Sequence, residues 1–142
     1  RPANTARQSA APGDPGSRSF GDLMSAVRGV DAAAALRNVG GHVKVLRRVV
    51  DRFVTTYGPG VPEFARAFDP ADLPSWHTAS HSLRGACGAI GAQALAASLL
   101  EFENLLVPGC DPGTVTTQAS ALQASLSTLV SQLKAALEHP AA

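Results

Sequence analysis

From Val115 to Leu137 the apolar residues Val115, Ala119, Leu122, Leu126, Leu129, Leu133 and Leu137 step by three and four. Only an α-helix brings residues at that spacing onto one face, and so long a stripe needs other helices to cover it. The spacing is also that of a left-handed antiparallel bundle seam. The rest of the chain supplies partners. Val43, Leu46, Val49, Val50, Phe53, Val54 and Tyr57 give a wide apolar face to a helix over 42–57. Leu95, Leu99, Phe102 and Leu106 stripe another, and Asp72 is placed to cap one running from Leu73 to about Ile90. Two short stretches precede these. One is an amphipathic segment at 20–27. The other is an Ala-rich helix over 32–37, capped by Asp31 and ending at Asn38 and the Gly40–Gly41 pair. Gly58-Pro59-Gly60 interrupts the chain, and 61–68 is expected to resume as a short helix. Strand patterns are absent. The expected fold is all-α: an antiparallel up-down four-helix bundle with short extra N-terminal helices.

Composition agrees. Hydrophobic residues make up 45% of the 142 but aromatics only 5%, so the core is built from Ala, Leu and Val. Ala and Leu are strong helix formers. Residues 1–19, rich in Pro, Gly, Ser and Ala, read as a flexible linker. Residues 20–138 form one domain, and 139–142 a short tail. A start at Arg1 without Met suggests a piece of a longer protein. The formal net charge is +1 and the basic residues are scattered. The concentrated basic stripe of a nucleic-acid binder is missing. No apolar run approaches the roughly 20 residues that span a bilayer, and no signal-peptide pattern opens the chain. Cys87 and Cys110 show no CxxC spacing and are too few for a disulfide framework. A cytoplasmic domain, monomeric and without membrane contact, is the expectation.

The chemistry concentrates in Leu73 to Ala92, LPSWHTASHSLRGACGAIGA. On a helical wheel centred on His81, Trp76, Ala79, Leu83, Ala86, Cys87 and Ile90 fall within roughly 60° of the opposite pole. His77, Arg84, Gly85 and Gly88 fall within roughly 60° of His81 itself. The histidine therefore sits mid-way across the solvent face. Glycine inside a helix costs about 1 kcal/mol relative to Ala. Gly85 and Gly88 point away from the core, so their use is close approach by another surface. A free imidazole titrates near pH 6.5, which leaves an exposed histidine largely neutral at pH 7 with a ring nitrogen available as nucleophile. Arg84, one turn on, can steady phosphoryl oxygens. The chain has no GxxxxGK[ST] loop, no carboxylate cluster near the histidine to hold Mg²⁺, and no nucleotide-binding glycine loop. A lone nucleophile of this kind implies that a partner brings the catalytic apparatus.

The stretch HSLRGACGAIGA resembles the signature of histidine-phosphotransfer domains, through His81, Leu83, Arg84, Gly85 and Ile90-Gly91-Ala92. Upstream, Leu36-Arg37-Asn38-Val39-Gly40-Gly41 with Leu46 and Phe53 resembles the family's first bundle helix and its lead-in. Downstream, Leu100-Glu101 resembles the ending of its next helix, so the likeness covers about residues 20–138. Arg84 stands where Lys is commoner, and Ser80 where Ala is common. The resemblance implies a phosphorelay role, with His81 as phosphoacceptor and His77, Ser80, Arg84, Gly85 and Gly88 around it as the phosphoryl and receiver-docking surface. It implies response-regulator receiver domains as partners, an upstream donor and a downstream acceptor, with the Mg²⁺ held by the receiver and no cofactor bound here. Such a domain is a phosphocarrier rather than an enzyme. The linker suits a tether to a receiver in a hybrid sensor kinase, a parent that can be anchored in the inner membrane.

Two other readings compete. His77 and His81 stand at i and i+4 and could share a metal ion, although Thr78 occupies the position where HExxH has Glu. Alternatively the glycine strip serves a helical interaction module without phosphate chemistry. The remaining residues read plainly: Trp76 as core, Cys87 as a small hydrophobe, Cys110 as a loop residue. Arg47, Arg48 and Arg52 read as a solvated helix face that could also assist docking of an acidic receiver.

Overall fold

The computed structural model describes residues 19–139, and their fold is all-α. Six α-helices follow one another: α1 (Phe20–Ser25), α2 (Ala32–Asn38), α3 (Val43–Tyr57), α4 (Leu73–Ala89), α5 (Gln93–Leu105) and α6 (Pro112–Glu138). Helices α3 to α6 form the bundle, in which α4 packs on α5, α5 on α6, and α6 on α3. The expected linker lies outside the described residues except for Ser19, which caps α1 by accepting a hydrogen bond from the Asp22 N–H at 3.0 Å. Of the expected tail, only His139 is described.

The apolar stripe of α6 is buried as its spacing predicts, with Val115, Ala119, Leu122, Leu126, Leu129 and Leu133 inside and Val130 and Ala136 added. Leu46, Val50 and Phe53 face it from α3. Leu95, Leu99 and Phe102 face it from α5. At one end Trp76, fully buried, meets Phe68 edge-on at 5.1 Å between ring centroids and Phe64 at 5.7 Å. Offset and edge-to-face contacts of this kind add about 0.5–1.5 kcal/mol each beyond the area they bury, and they anchor the first turn of α4.

Two local expectations need correction. The segment 61–68 holds only a 3₁₀ turn at Glu63–Ala65, after which Arg66 is extended. The N–H groups of Phe64, Ala65 and Arg66 donate to the carbonyls of Val61, Pro62 and Glu63, and other backbone groups of the segment bond to α6. Val61 N–H donates to Gln123 Oε1 at 3.0 Å, Gln123 Nε2 returns a bond to the Val61 carbonyl at 3.1 Å, and Phe68 N–H donates to Thr116 Oγ1 at 3.0 Å. This satisfies the backbone while Phe64 and Phe68 enter the core, so a helix has no advantage there. Asp72 stands at the start of α4 without capping it by its side chain. Its carboxylate lies 3.9 Å from Arg66, and Asp69 caps the preceding 3₁₀ turn, Pro70–Asp72.

Arg47 is also more than a solvated side chain. Its guanidinium donates to the Leu137 carbonyl at the end of α6 and lies 5.2 Å from the Phe20 ring centroid. A cation at a helix C-terminus meets both the free carbonyls and the negative end of the dipole. Because Arg47 is near the start of α3, the same bond shows that α3 and α6 run antiparallel.

The short N-terminal helices are built into the hairpin between α4 and α5. Asp31 caps α2 through the Ala34 N–H at 3.0 Å and donates its own N–H to the Gly91 carbonyl at 2.7 Å. Gly91 turns the chain at φ +76°, and a Cβ there would collide with the Asp31 carbonyl, so only glycine fits. Asn38 Nδ2 donates to the carbonyls of Gly88 and Ala89 at 3.1 and 3.3 Å, capping the end of α4 from another element.

Candidate functional site

Helix α4 divides as the wheel predicts. Trp76, Leu83, Cys87 and Ile90 are buried, Ala79 and Ala86 half-buried, and His77, His81, Gly85 and Gly88 exposed. The His81 side chain is 66% exposed. A Cβ added at Gly85 or Gly88 would meet nothing within 4 Å, so both leave open space beside the histidine. A cleft of about 300 Å³ between α5 and α6, lined by Leu95, Ser98, Ser125 and Leu129, does not include His81. The histidine stands on an open helix face.

Ser80 is the exception among the expected surface residues. It is fully buried, and its Oγ has no hydrogen-bond partner. It stands about 100° around the helix from His81, on the side where Trp76 and Leu83 turn inward, so it cannot contribute to a docking face. The position calls for a small buried residue.

Across from His81 stands a residue that sequence reading passed over. Glu103 of α5 is only 8% exposed, and its Oε1 lies 3.3 Å from His81 Nδ1. Arg84 completes the group. Its Nε donates to Glu103 Oε2, its Nη2 lies 3.5 Å from Oε1, and the same Nη2 is 3.2 Å from His81 Nδ1. Arg84 is thus tied to Glu103 through Nε, while its Nη2 makes only the longer contacts to Oε1 and the ring. A signal for Glu103 did exist: it lies four residues after Leu99, on the buried stripe of α5, where an acid requires a partner.

The electrostatics follow from this arrangement. Burial alone would push the Glu103 carboxyl up, but hydrogen bonds from Arg84 and His81, with their charges, outweigh it and hold the carboxyl below its usual range. The hydrogen bond to Glu103 likewise raises Arg84. Glu103 is therefore a carboxylate at neutral pH, pointed at Nδ1. An imidazole whose Nδ1–H donates to a carboxylate keeps its Nε2 lone pair free, and all of the ring's hydrogen-bond contacts lie on Nδ1. With the Nδ1 proton on the Glu103 side, the arrangement would leave Nε2 as the nucleophilic nitrogen.

Cys87 is chemically quiet, since burial pushes its thiol up to about 12. Among the described residues no three His, Cys, Asp or Glu side chains converge as a metal-binding group. No helix of the described residues is long and apolar enough to cross a membrane. Compared with known proteins, the chain matches the family model described as Hpt domain over residues 48–139. No curated protein and no solved structure matches it.

Proposed function

The chain belongs to the Hpt domain family, whose members carry phosphoryl groups in two-component phosphorelays and meet receiver domains there; from that premise we propose that His81 is the phosphoacceptor. It takes the group from a receiver aspartate and passes it to the aspartate of a second receiver. The observation that carries this reading is the exposed His81 ring, held at Nδ1 by Glu103.

The lone pair of Nε2 attacks phosphorus, the P–O bond of the aspartyl phosphate breaks, and the aspartate carboxylate leaves with the bonding pair. The ring keeps its Nδ1 proton and becomes an N-phosphorylated imidazolium. The Glu103 carboxylate faces that new positive charge, so its interaction strengthens as transfer proceeds. Arg84 already neutralises Glu103 in part, and its Nη2, 3.2 Å from the ring, is close enough to turn toward phosphoryl oxygens. His77, Gly85 and Gly88 line the approach. The receiver supplies its own acidic pocket and Mg²⁺. The domain carries the group and does not catalyse its own loading. A tether through residues 1–19 to a hybrid sensor kinase would keep the donor receiver at high effective concentration.

The test is transfer from a phosphorylated receiver domain to the wild-type chain and to His81→Gln. Label is expected on the wild type alone, labile to acid and stable to alkali. Label that survives the substitution, or none on the wild type from any receiver, overturns the reading.

A further inference from the structure

The segment 20–47 lies outside the family match at 48–139, yet its α2 end is fastened to the end of the histidine helix. We infer that residues 37–42, the end of α2 and the turn that follows, form part of the surface on which the receiver docks and help select which receiver is accepted. The inference rests on receiver docking at His81.

Area and continuity carry it. A standard interface covers about 800 Å² on each partner, which as a disc has a radius of about 16 Å. Gly88 lies seven residues beyond His81, or about 10 Å along the axis. A footprint centred on His81 therefore runs past the end of α4. The structure that begins there is Asn38, bonded to the carbonyls of Gly88 and Ala89, and the exposed turn through Gly40, Gly41 and His42.

Charge points to the same partner. Between Asp31 and Asp51 the chain carries Arg37, Lys44, Arg47 and Arg48 and no acidic residue. Arg47 is committed to the Leu137 carbonyl, whereas Arg37 is exposed and in no ion pair among the described residues. An acidic receiver pocket centred on His81 would meet Arg84 near its middle and Arg37 at its edge. Charges at the rim of an interface act mainly on association rate and partner choice.

The experiment uses the full chain and the receiver that transfers fastest to it from a panel loaded with acetyl phosphate. A double variant, Arg37→Glu with His42→Glu, replaces two exposed side chains and removes no hydrogen bond or ion pair between described residues. It is expected to lower the second-order rate constant for transfer at least about fivefold, more at low salt. Loading of His81 by phosphoramidate, which needs no docking, should stay within about twofold of wild type by the same argument. In a titration of the labelled wild type with that receiver, backbone amides of 37–42 should shift together with those of Gly85 and Gly88. Unchanged transfer by the double variant, or amides of 37–42 that stay still while Gly85 and Gly88 move, overturns the inference. Wild type that phosphoramidate loads but no receiver does counts instead against the phosphorelay reading itself.

Discussion

Nδ1 of His81 lies 3.3 Å from Oε1 of Glu103, so a nearly buried carboxylate on α5 orients an exposed ring on α4. The pair makes the two imidazole nitrogens unequal: Nδ1 faces Glu103 and Arg84, and in the proposed transfer it holds the proton while Nε2 meets the partner.

Glu103→Ala is accordingly expected to slow transfer to His81. Hydrogen bonds to charged groups are worth at least about 1.5 kcal/mol, which corresponds to a rate loss of roughly tenfold or more. Glu103→Gln keeps a carbonyl acceptor for the Nδ1 proton but lacks the charge, so it should lose less. Both variants act on the ring, so phosphoramidate loading should slow with receiver transfer, unlike a docking defect. Single-turnover kinetics with each phosphoryl donor check this.

The same carboxylate makes stability depend on acid. Its folded pKa is depressed below the ordinary value of 4.5, so its contribution is complete above that value and is lost as pH falls through the depressed one. Thermal melts from about pH 5 down to about pH 3 should show a decline in Tm that is shallower in Glu103→Gln. Equal slopes would show that the carboxylate is not held by Arg84 and His81.

Gly85→Gln and Gly88→Gln should fold normally, because space for the new side chain is open at both positions. Each should gain up to about 1 kcal/mol of helix stability and yet transfer phosphate from a receiver more slowly. Urea denaturation and transfer rates measured together check the opposite signs. Unchanged transfer would show that the receiver does not approach α4 closely at these positions.

Arg47→Met should cost about 1–2 kcal/mol through loss of a charged hydrogen bond and a cation–π contact. Phosphoramidate loading of His81 should not change, since Arg47 bonds to the far end of α6. Urea denaturation reads the first effect and loading kinetics the second.

A thiol reagent at pH 8 should modify one cysteine rapidly in the native chain and both after denaturation. Cys110 is half-buried in a loop, whereas Cys87 is fully buried with its thiol pushed up to about 12. Rapid native labelling of Cys87, read by peptide mass, would contradict the packing of α4.

Much of this fold is legible in the residue spacing. A helix repeats every 3.6 residues, so the stripes of α3, α5 and α6 and the outward position of His81 can be read from one strand of text. What resists is contact between elements distant in sequence. Glu103 is 22 residues from His81, and no period relates them; only the packing angle of α5 on α4 does. Ser80 lies midway between the two faces of its helix, where the bulk of Trp76 and Leu83 decides that it is covered. Arg47 projects from the polar side of α3, but its long side chain bends back to a carbonyl and a ring. In 61–68 the hydrogen bonds to Gln123 and Thr116 replace the helix that local sequence suggests.

Met24 of α1 and Ala35 of α2 are completely buried, and Phe20, Val27 and Ala32 nearly so. The packed core accordingly extends beyond the segment matched by the family model. A polypeptide beginning at residue 48 would uncover the apolar surface those side chains now seal and would lose the guanidinium that holds Leu137. The packed structure thus reaches at least to Phe20 and its cap Ser19, twenty-nine residues ahead of the family match.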